Sequence, residues 1–457
     1  MEPRPSDAFV FFGATGDLAY KQIFPALQAL VRRGQLNVPI VGVGRSGWGK
    51  DKLIERARAS IKEHGTYDEK VFAKFSALLQ YVDGDYREAS TFTRLKEALG
   101  GATAPLHYLA IPPSVFETVI GGLAKAGCVE NARVVVEKPF GRDLKSAREL
   151  NAILHQHFPE QSIFRIDHYL GKEPVQNILY TRFSNAFLEP IWNRTYIRSL
   201  QITMAEDFDV LGRGAFYEEA GAIRDVIQNH LLQVLSSVIM DAPLQSAPSA
   251  LRDEKSRVLR AIRPLDAQSI VRGQYHGYRT APGVAENSTV ETYAAVRLFV
   301  DSWRWADVPF YIRAGKCMPV TSTEVVVEFR RPPREVFGEL VPSLSSHLRL
   351  RLSPDVVIGL GMRVKVAGER MAGEDVELMV TRQPGDAMTP YERLLGDAMR
   401  GDLGLFGRQD AIEAQWAVVD PVLGDSTPVY DYPCGTWGPR EAARLVEGDD
   451  GWIDPRH

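Results

Sequence analysis

Polar side chains that could do chemistry are unusually dense in residues 165–173, which read RIDHYLGKE. His168, Tyr169 and Lys172 place two basic groups and a phenol within five positions. Such a set of donors suits a phosphate or a polyol, and packing does not require a polar cluster of this density. A solvated turn is the alternative interpretation. The segment is therefore a candidate binding site for a phosphate or a polyol.

His230 lies in a predicted helix over Ala220–Met240 and interrupts the apolar face of that helix. The simpler interpretation is a core histidine whose ring nitrogens are satisfied by neighbouring groups. If a carboxylate orients the imidazole, His230 becomes a general base that accepts a hydroxyl proton near neutral pH. Asp167 is a candidate for this carboxylate, because it and His168 project to opposite sides of an extended segment.

A turn of small residues directly follows the first predicted strand and precedes a helix. Small residues at such a junction let the backbone approach a pyrophosphate, whose charge the helix N-terminus stabilises. The spacing G-x-x-G-x-x-A is a variant of the dinucleotide-binding fingerprint, and a purely steric need for glycine is the alternative. The candidate cofactor-binding residues here are Gly13, Ala14, Thr15, Gly16, Asp17 and Leu18.

Arg45 and Ser46 follow the second predicted strand. An acidic residue at this point would bind the ribose 2′-hydroxyl of NAD, whereas an arginine can pair with the 2′-phosphate of NADP. Arg45 therefore favours NADP, and a solvated surface arginine is the alternative. Asp85 and Tyr86, after a third strand, are further candidates for contacts with the adenosine part of the cofactor.

Lys138 lies in residues 136–141, VEKPFG, at the end of another predicted strand. A lysine at the carboxyl edge of a parallel sheet points towards the ligand crevice. As a bare motif, the segment could equally cap a turn. Lys138 is therefore a candidate for contact with both cofactor and substrate.

Strands and helices alternate over the first third of the chain, a pattern that predicts a parallel sheet with right-handed crossovers. The predicted strands are Ala8–Phe12, Pro39–Val43, Leu106–Ile111 and Arg133–Val136. The predicted helices are Leu18–Arg33, Lys50–His64, Thr91–Leu99 and Pro113–Lys125.

The order of predicted elements changes after about residue 165, where helices come first and long segments of alternating polar and apolar residues follow. Alternation between turns suits an antiparallel sheet with one covered face. The acidic end, Glu447–His457, is predicted to be frayed. The predicted helices are Pro174–Phe183 and Ala220–Met240. The alternating segments are Val290–Val300, Phe310–Ala314, Glu324–Arg330, His347–Leu352, Arg363–Val366 and Val376–Thr381.

These patterns predict an α/β plus α+β protein of two domains. Residues 1–166 form an N-terminal Rossmann-type domain that binds NADP. Residues 167–457 form a larger C-terminal α+β domain, built on an antiparallel sheet, and this domain would bind the substrate.

Composition excludes several classes of protein. The 457 residues carry 54 basic and 58 acidic side chains, a net charge of −4, which gives no positive field for a nucleic-acid backbone. Three cysteines without C-x-x-C spacing encode neither a disulfide framework nor a thiolate metal site. No apolar run reaches the ~18 residues of a membrane span, and the N-terminus lacks a secretory pattern. We expect a cytoplasmic protein.

Taken together, these motifs closely resemble the glucose-6-phosphate dehydrogenase family. The chain departs from the family after Ala19, where Tyr20-Lys21-Gln22 replaces a basic run, and near Thr321, where many members carry another basic residue. The matching segments, which span most of the chain in order, are Gly13–Ala19, 137–142 (EKPFGR), 165–173, 212–214, 223–232 (IRDVIQNHLL) and 313–316 (RAGK).

The resemblance implies hydride transfer from C1 of glucose 6-phosphate to NADP, giving 6-phosphoglucono-1,5-lactone in the oxidative pentose phosphate pathway. It implies that His230 takes the C1 hydroxyl proton and that Asp167 orients His230. It also implies a cis peptide before Pro139, no metal, and a homodimer or homotetramer formed through the large sheet. The residues that it implies for the sugar phosphate are His168, Tyr169, Lys172, Glu206, Asp225, Lys316 and Lys138.

Two rival functions remain open. One is an NADP-dependent dehydrogenase of a different or unphosphorylated sugar, since Glu137-Lys138-Pro139 also occurs in such enzymes. The other is a catalytically idle NADP-binding homologue, against which the presence of both Asp167 and His230 argues.

Overall fold

The computed structural model describes residues 4–334, 336–337, 345–368, 370–382 and 388–455. These residues form two compact units, and neither unit is continuous in sequence. Unit 1 takes the described residues of Met1–Glu173, Pro243–Asp253 and Ala387–Glu413. Unit 2 takes those of Pro174–Ala242, Glu254–Asp386 and Ala414–His457.

This division differs from the continuous domains 1–166 and 167–457 expected from the sequence. Three segments of the expected second domain belong to unit 1: residues 167–173, Pro243–Asp253 and the described part of Ala387–Glu413. The physical reason for one of them is apolar burial: Leu394 and Leu395 lie in the same buried cluster as Phe9, Phe11 and other side chains of the first sheet.

The strands, numbered in chain order, are β1 Ala8–Phe12, β2 Ile40–Gly44, β3 Leu79–Asp83, β4 Pro105–Leu109, β5 Arg133–Val136, β6 Ile163–Ile166, β7 Ile197–Ala205, β8 Ile270–Tyr275, β9 Tyr293–Leu298, β10 Phe310–Gly315, β11 Ser322–Phe329, β12 His347–Ser353, β13 Val356–Lys365, β14 Gly373–Arg382, β15 Phe406–Gly407 and β16 Val429–Tyr432.

The α-helices are α1 Phe24–Arg32, α2 Lys50–His64, α3 Glu69–Leu78, α4 Ala89–Leu99, α5 Phe116–Lys125, α6 Leu144–His155, α7 Glu173–Ser184, α8 Gly214–Ala222, α9 Leu232–Ile239, α10 Pro248–Ala261, α11 Pro390–Arg400 and α12 Gln409–Val419. Two segments, Ala19–Ile23 and Ile223–Leu231, are wound as π-helices. Short 3₁₀ turns occupy Pro113–Val115, Glu160–Ser162, Glu189–Ile191, Tyr278–Thr280, Asp420–Val422 and Arg440–Val446.

Unit 1 is built on a seven-stranded sheet of order β15-β6-β5-β4-β1-β2-β3. All of its neighbouring strands are parallel except β15, which runs antiparallel to β6. Strand β1 is buried on both faces: Phe9 and Phe11 enter one apolar cluster, while Val10 and Phe12 enter the other. Burial on both faces is why β1 and β2 are continuous apolar runs.

Unit 2 is built on a nine-stranded sheet of order β14-β13-β12-β11-β7-β10-β9-β8-β16. Its pairs are antiparallel, apart from β7 with β10 and β8 with β16. The predicted fold class, a Rossmann-type α/β domain followed by an α+β domain on a mostly antiparallel sheet, is confirmed.

The single helix predicted over Ala220–Met240 is wrong in its continuity. Gly221 has a φ of +63°, and a Cβ there would lie 2.4 Å from a carboxylate oxygen of Glu291. The backbone N–H groups of Ala222 and Ile223 donate to Glu291 instead of to a preceding helical turn. The helix therefore breaks at Gly221, near the end of α8, and the chain continues as the π-helix Ile223–Leu231, followed by α9.

The predicted fraying of Glu447–His457 is also wrong for the described part of that segment. Nη2 of Arg313 donates to the Ile453 carbonyl at 3.1 Å and to Oδ1 of Asp454 at 2.7 Å. The Ile453 N–H donates to the side chain of Gln201. These bonds fasten the chain end to the large sheet, and Arg456 and His457 lie outside the described residues.

Candidate active site

The Gly13 turn in unit 1 is closed by backbone hydrogen bonds to the end of β2. The N–H groups of Gly13 and Ala14 donate to the Val43 carbonyl at 3.0 and 3.1 Å. Gly13 has a φ of +80°, and a Cβ there would lie 2.2 Å from the Ala110 carbonyl oxygen. Only glycine fits, so the backbone is kept bare at the carboxyl edge of the sheet, where a pyrophosphate can approach.

The loop after β2 is tied to the same turn. The Ser46 hydroxyl donates to the Thr15 hydroxyl oxygen at 2.9 Å. The backbone N–H groups of Ser46 and Gly47 donate to one carboxylate oxygen of Asp83 at 3.1 and 2.8 Å. Residues from three strand ends therefore converge, as expected for a dinucleotide site.

Arg45 stands at the rim of this group, with a side chain that is 70% exposed. Its Nη1 lies 3.4 Å from Oδ2 of Asp85, whereas Nη2 of Arg87 lies only 2.7 Å from the same oxygen. Hydrogen bonds, chiefly from Arg87, hold the pKa of Asp85 well below its usual range. Asp85 thus stays ionised and holds the guanidinium groups of Arg45 and Arg87 beside the turn. These two cations suit a 2′-phosphate.

Tyr86 supports the turn itself. Its hydroxyl oxygen accepts a 2.9 Å hydrogen bond from the Gly13 N–H, and its O–H donates to the Val43 carbonyl at 3.3 Å. The predicted adenosine contact of Tyr86 stays a prediction. A second support was missed by sequence reasoning: Nη2 of Arg56, on α2, donates to the Gly16 carbonyl at 3.3 Å.

Lys138 follows β5, and the peptide bond between Lys138 and Pro139 is cis, as the family resemblance implied. The preceding residue, Glu137, is buried, and the phenols of Tyr108 and Tyr391 hydrogen-bond to its carboxylate. Burial raises the pKa of Glu137 to about 6, in spite of these hydrogen bonds. Lys138 is thus anchored next to a carboxylate that titrates near neutrality.

Residues 167–172 form consecutive tight turns directly after β6. The buried Asp167 accepts a 2.9 Å hydrogen bond from the Tyr169 N–H, which fixes one of its carboxylate oxygens. The Lys172 ammonium lies 3.7 Å from the centroid of the Tyr169 ring. The rings of His168 and Tyr169 meet edge to face at 5.4 Å. The three predicted phosphate donors are therefore held in one compact group in unit 1.

His230 lies on the π-helix of unit 2 and is 1% exposed, so the predicted burial is correct. Its backbone N–H donates to Oδ1 of Asn229 at 2.6 Å, and Nδ2 of Asn229 donates to the Arg224 carbonyl at 3.0 Å. A π-helical segment is rare and is found frequently at functional sites, because the wider turn changes which side chains share a face. The winding sets the direction of His230 independently of α8 and α9.

Lys316 and Glu206 pair at the end of β10 and β7 in unit 2. The ammonium of Lys316 lies 2.6 Å from Oε2 of Glu206 and 4.8 Å from the centroid of the Phe208 ring. The buried Tyr217 lies near both Glu206 and Asp225, and burial, followed by these carboxylates, raises its pKa well above the usual range. A cation and two carboxylates in one place suit the hydroxyl groups of a sugar.

Each unit thus brings together part of the predicted set. Unit 1 groups the cofactor candidates and, after β6, the phosphate candidates, while unit 2 groups Glu206, Asp225 and Lys316. Asp167 and His230 belong to different units, so their pairing stays a prediction. Sequence reasoning missed Arg87 and Tyr217, because nothing in an isolated arginine or tyrosine marks it; only the fold shows their neighbours.

Thr321 marks the second departure from the family pattern. Its hydroxyl donates to Oδ1 of Asp207, and the Asp207 N–H donates back to Oγ1 of Thr321 at 3.1 Å. The hydroxyl is therefore engaged with a carboxylate. This position supplies no positive charge.

Within the described residues, every helix is too short or too polar to cross a bilayer.

Comparisons with known proteins cover both halves of the chain. Residues 10–177 match the glucose-6-phosphate dehydrogenase NAD-binding domain, and residues 179–453 match the C-terminal domain of the same family. The chain is 43% identical to glucose-6-phosphate 1-dehydrogenase 1 of Mycobacterium bovis over 454 residues, which are 98% of this chain and 97% of that protein.

Solved structures agree with this assignment. The crystal structure of glucose-6-phosphate 1-dehydrogenase from Mycobacterium avium has a TM-score of 0.93 and 44% identity, covering 99% of this chain and all of that one. A glucose-6-phosphate dehydrogenase in complex with its substrate glucose 6-phosphate has a TM-score of 0.91 and 34% identity, with both chains fully covered. The chain therefore belongs to the glucose-6-phosphate dehydrogenase family, which confirms the predicted family, enzyme class and NADP cofactor.

Proposed function

We propose that this chain oxidises glucose 6-phosphate at C1 to 6-phosphoglucono-1,5-lactone, with His230 as the general base and Asp167 as the carboxylate that orients it. The observation that carries this proposal is the burial of His230 on a π-helical turn, in the unit that also holds the Lys316–Glu206 pair. A buried imidazole whose backbone is fixed can be kept in one orientation towards a hydroxyl.

Two residues of this chain, His230 and Asp167, act in the removal of the C1 hydroxyl proton. His230 takes the proton of the C1 hydroxyl, and the electron density left on that oxygen makes C1 a hydride donor. Asp167 stabilises the imidazolium that forms. NADP, when bound, supplies the nicotinamide that accepts the hydride.

Substrate recognition divides between two groups. Lys172, His168 and Tyr169 hold the 6-phosphate, because a dianion that leaves water needs charged and hydrogen-bonding donors in place of its hydration shell. The second group binds the sugar hydroxyls and consists of Glu206, Asp225 and Lys316. Lys138 lies between the coenzyme and the sugar.

The residues present fit NADP. The bare Gly13 turn, which a Cβ would fill, accepts the pyrophosphate, together with Ala14, Thr15, Gly16, Asp17 and Leu18. Arg45 binds the 2′-phosphate, supported by Ser46, Asp85 and Tyr86.

The protein acts as a cytoplasmic homodimer or homotetramer, without nucleic-acid or membrane partners. Three successive apolar side chains of the edge strand β14 support association through the large sheet: Leu378, Met379 and Val380 are each about 60% exposed or more. Light scattering on the protein as it elutes from a size-exclusion column measures the mass of the oligomer directly and so tests this association.

Glucose 6-phosphate that carries deuterium at C1 tests the proposed reaction. Incubation with NADP should give NADPH containing one deuterium, detected by mass spectrometry. With substrate labelled at C2 instead, the NADPH should contain no deuterium. Retention of the C1 deuterium in the sugar would exclude hydride transfer from C1.

A further inference from the structure

Two of the three cysteines, far apart in the sequence, meet in unit 2. The thiols of Cys317 and Cys434 are hydrogen-bond partners, and both lie close to the phenols of Tyr275 and Tyr432. Cys317 is buried, Cys434 is exposed, and neither is in a disulfide. The third cysteine, Cys128, is buried in unit 1.

The backbones that carry these thiols are clamped together on both sides. The Gly435 N–H donates to the Cys317 carbonyl at 2.7 Å. The Tyr432 O–H donates to the Lys316 carbonyl at 2.7 Å. The Cys434 segment is therefore hydrogen-bonded to the Lys316–Cys317 segment two residues before Cys434 and one residue after it, which keeps the two side chains near each other.

We propose that Cys317 and Cys434 form a reversible disulfide when the protein meets a peroxide, and that this bond changes how Lys316 meets the sugar. The first part concerns the thiols alone, and the second rests on the function proposed above for Lys316.

The chemistry balances with hydrogen peroxide as the oxidant. The exposed Cys434 thiolate attacks one peroxide oxygen, the O–O bond breaks, and the products are a sulfenic acid and water. The Cys317 sulfur then attacks the Cys434 sulfur, an S–S bond forms, and the sulfenic oxygen leaves as water. Two thiols and one peroxide thus give a disulfide and two waters, and an added dithiol reverses the step.

The environments of the two thiols set the order of these events. Burial, with the adjacent Cys434 thiol, raises the pKa of Cys317 to about 12, so Cys317 is a poor first nucleophile. Cys434 is the accessible partner and reacts first. Conversion of Cys434 to the sulfenic acid removes the neighbouring thiol that disfavoured ionisation of Cys317.

Cys317 is joined through the backbone to Lys316, a residue of the proposed sugar site. Cys317 directly follows Lys316, whose ammonium pairs with Glu206 at 2.6 Å. Cys317 has a φ of +51°, in a region that side chains rarely adopt, so its backbone has little freedom to absorb a change. Drawing the sulfurs to the ~2.05 Å of a disulfide must therefore move the Lys316 backbone. We expect the KM for glucose 6-phosphate to rise at least threefold, with the Kd for NADP unchanged.

The test uses the full chain treated with hydrogen peroxide. The count of free thiols in denaturant should fall from three to one, and non-reducing digestion should give a Cys317–Cys434 peptide pair two hydrogens lighter than its parts. Dithiothreitol should restore both the thiol count and the KM. Cys434→Ser should abolish the cross-link and the response of KM, whereas the matched Cys128→Ser variant should behave as the wild type.

Failure of each part is distinguishable. If peroxide leaves both thiols free, or stops at a sulfinic acid on Cys434 without a cross-link, the disulfide is excluded. A cross-link without a change in KM would exclude the effect on Lys316. If the reduced protein failed to oxidise glucose 6-phosphate, the proposed function would fall, while the thiol count would still decide the disulfide.

Discussion

The ammonium of Lys172 lies 3.7 Å from the centre of the Tyr169 ring, so the cation is stacked on an aromatic face beside the buried Asp167. A cation–π contact of this kind holds the charge in place without neutralising it. Because Thr321 offers no second cation, we expect Lys172 to carry a large share of the proposed phosphate recognition.

Replacement of Lys172 by alanine tests how much this residue contributes to recognition of the substrate phosphate. Lys172→Ala should lower kcat/KM for glucose 6-phosphate about 100-fold, equivalent to roughly 3 kcal/mol of transition-state stabilisation, and change the rate with unphosphorylated glucose little. Lys145→Ala, on an exposed lysine, is the matched control and should leave both sugars unaffected. An equal loss for both sugars would instead assign Lys172 to the reacting centre.

Replacement of His230 by asparagine tests the proton acceptor. His230→Asn should reduce kcat by about two to four decades, the usual share of general base catalysis, while the Kd for NADP stays nearly unchanged. His276→Asn alters an exposed histidine and serves as the control. Turnover close to that of the wild type would remove His230 from the mechanism.

Arg45 should decide the choice of coenzyme. Arg45→Ala should weaken NADP binding by roughly 1.5–3 kcal/mol, the scale of a charge-assisted hydrogen bond, and change NAD binding little. Arg32→Ala, on the exposed end of α1, controls for loss of surface charge. Equilibrium titration of both coenzymes gives the comparison, and an equal loss for NAD and NADP would make Arg45 a structural residue.

Glu137 should make the stability of the protein depend on pH. Burial raises its pKa from 4.5 to about 6, so the folded state holds this proton more tightly than the unfolded state. Its contribution to stability is therefore fully present below pH 4.5 and is lost as the pH rises through 6. The shift corresponds to ~2 kcal/mol.

The neutral variant Glu137→Gln isolates this effect. Relative to Glu137→Gln, the free energy of unfolding of the wild type should fall by ~2 kcal/mol between pH 4.5 and pH 7. Glu149→Gln, on an exposed glutamate, should show no such difference. Parallel pH curves for the wild type and Glu137→Gln would mean that folding does not shift the pKa of Glu137.

Much of unit 1 could be predicted, because its strands are short apolar runs between clear helical patterns. Strands β1 and β5 and helix α2 have the predicted bounds. Strand β13 begins at Val356, before the predicted Arg363–Val366, because its first six residues, VVIGLG, are all apolar and show no alternation of polar and apolar residues. Strands β7 and β8 were not predicted, since their burial along both faces removes the alternating signal.

Prediction of the candidate site from the sequence is limited in the same way. The glycine turn, the 165–173 segment and His230 were visible because their residue types are unusual at those positions. The break at Gly221 that precedes the His230 segment was not, because Glu291, which is distant in sequence, accepts the N–H groups of Ala222 and Ile223. The meeting of Cys317 and Cys434 likewise depends on a contact between distant segments, the Gly435 N–H bond to the Cys317 carbonyl, which no spacing of cysteines encodes.

Initial-rate kinetics with glucose 6-phosphate and with glucose, each with NADP and with NAD, test the central claim most directly. The account predicts that kcat/KM is highest for the pair of glucose 6-phosphate and NADP, by about two decades over glucose and by about one to two decades over NAD, because Lys172 and Arg45 each recognise a phosphate that glucose or NAD lacks. Equal efficiency with glucose and glucose 6-phosphate, or saturable NADP binding without turnover of either sugar, would contradict it.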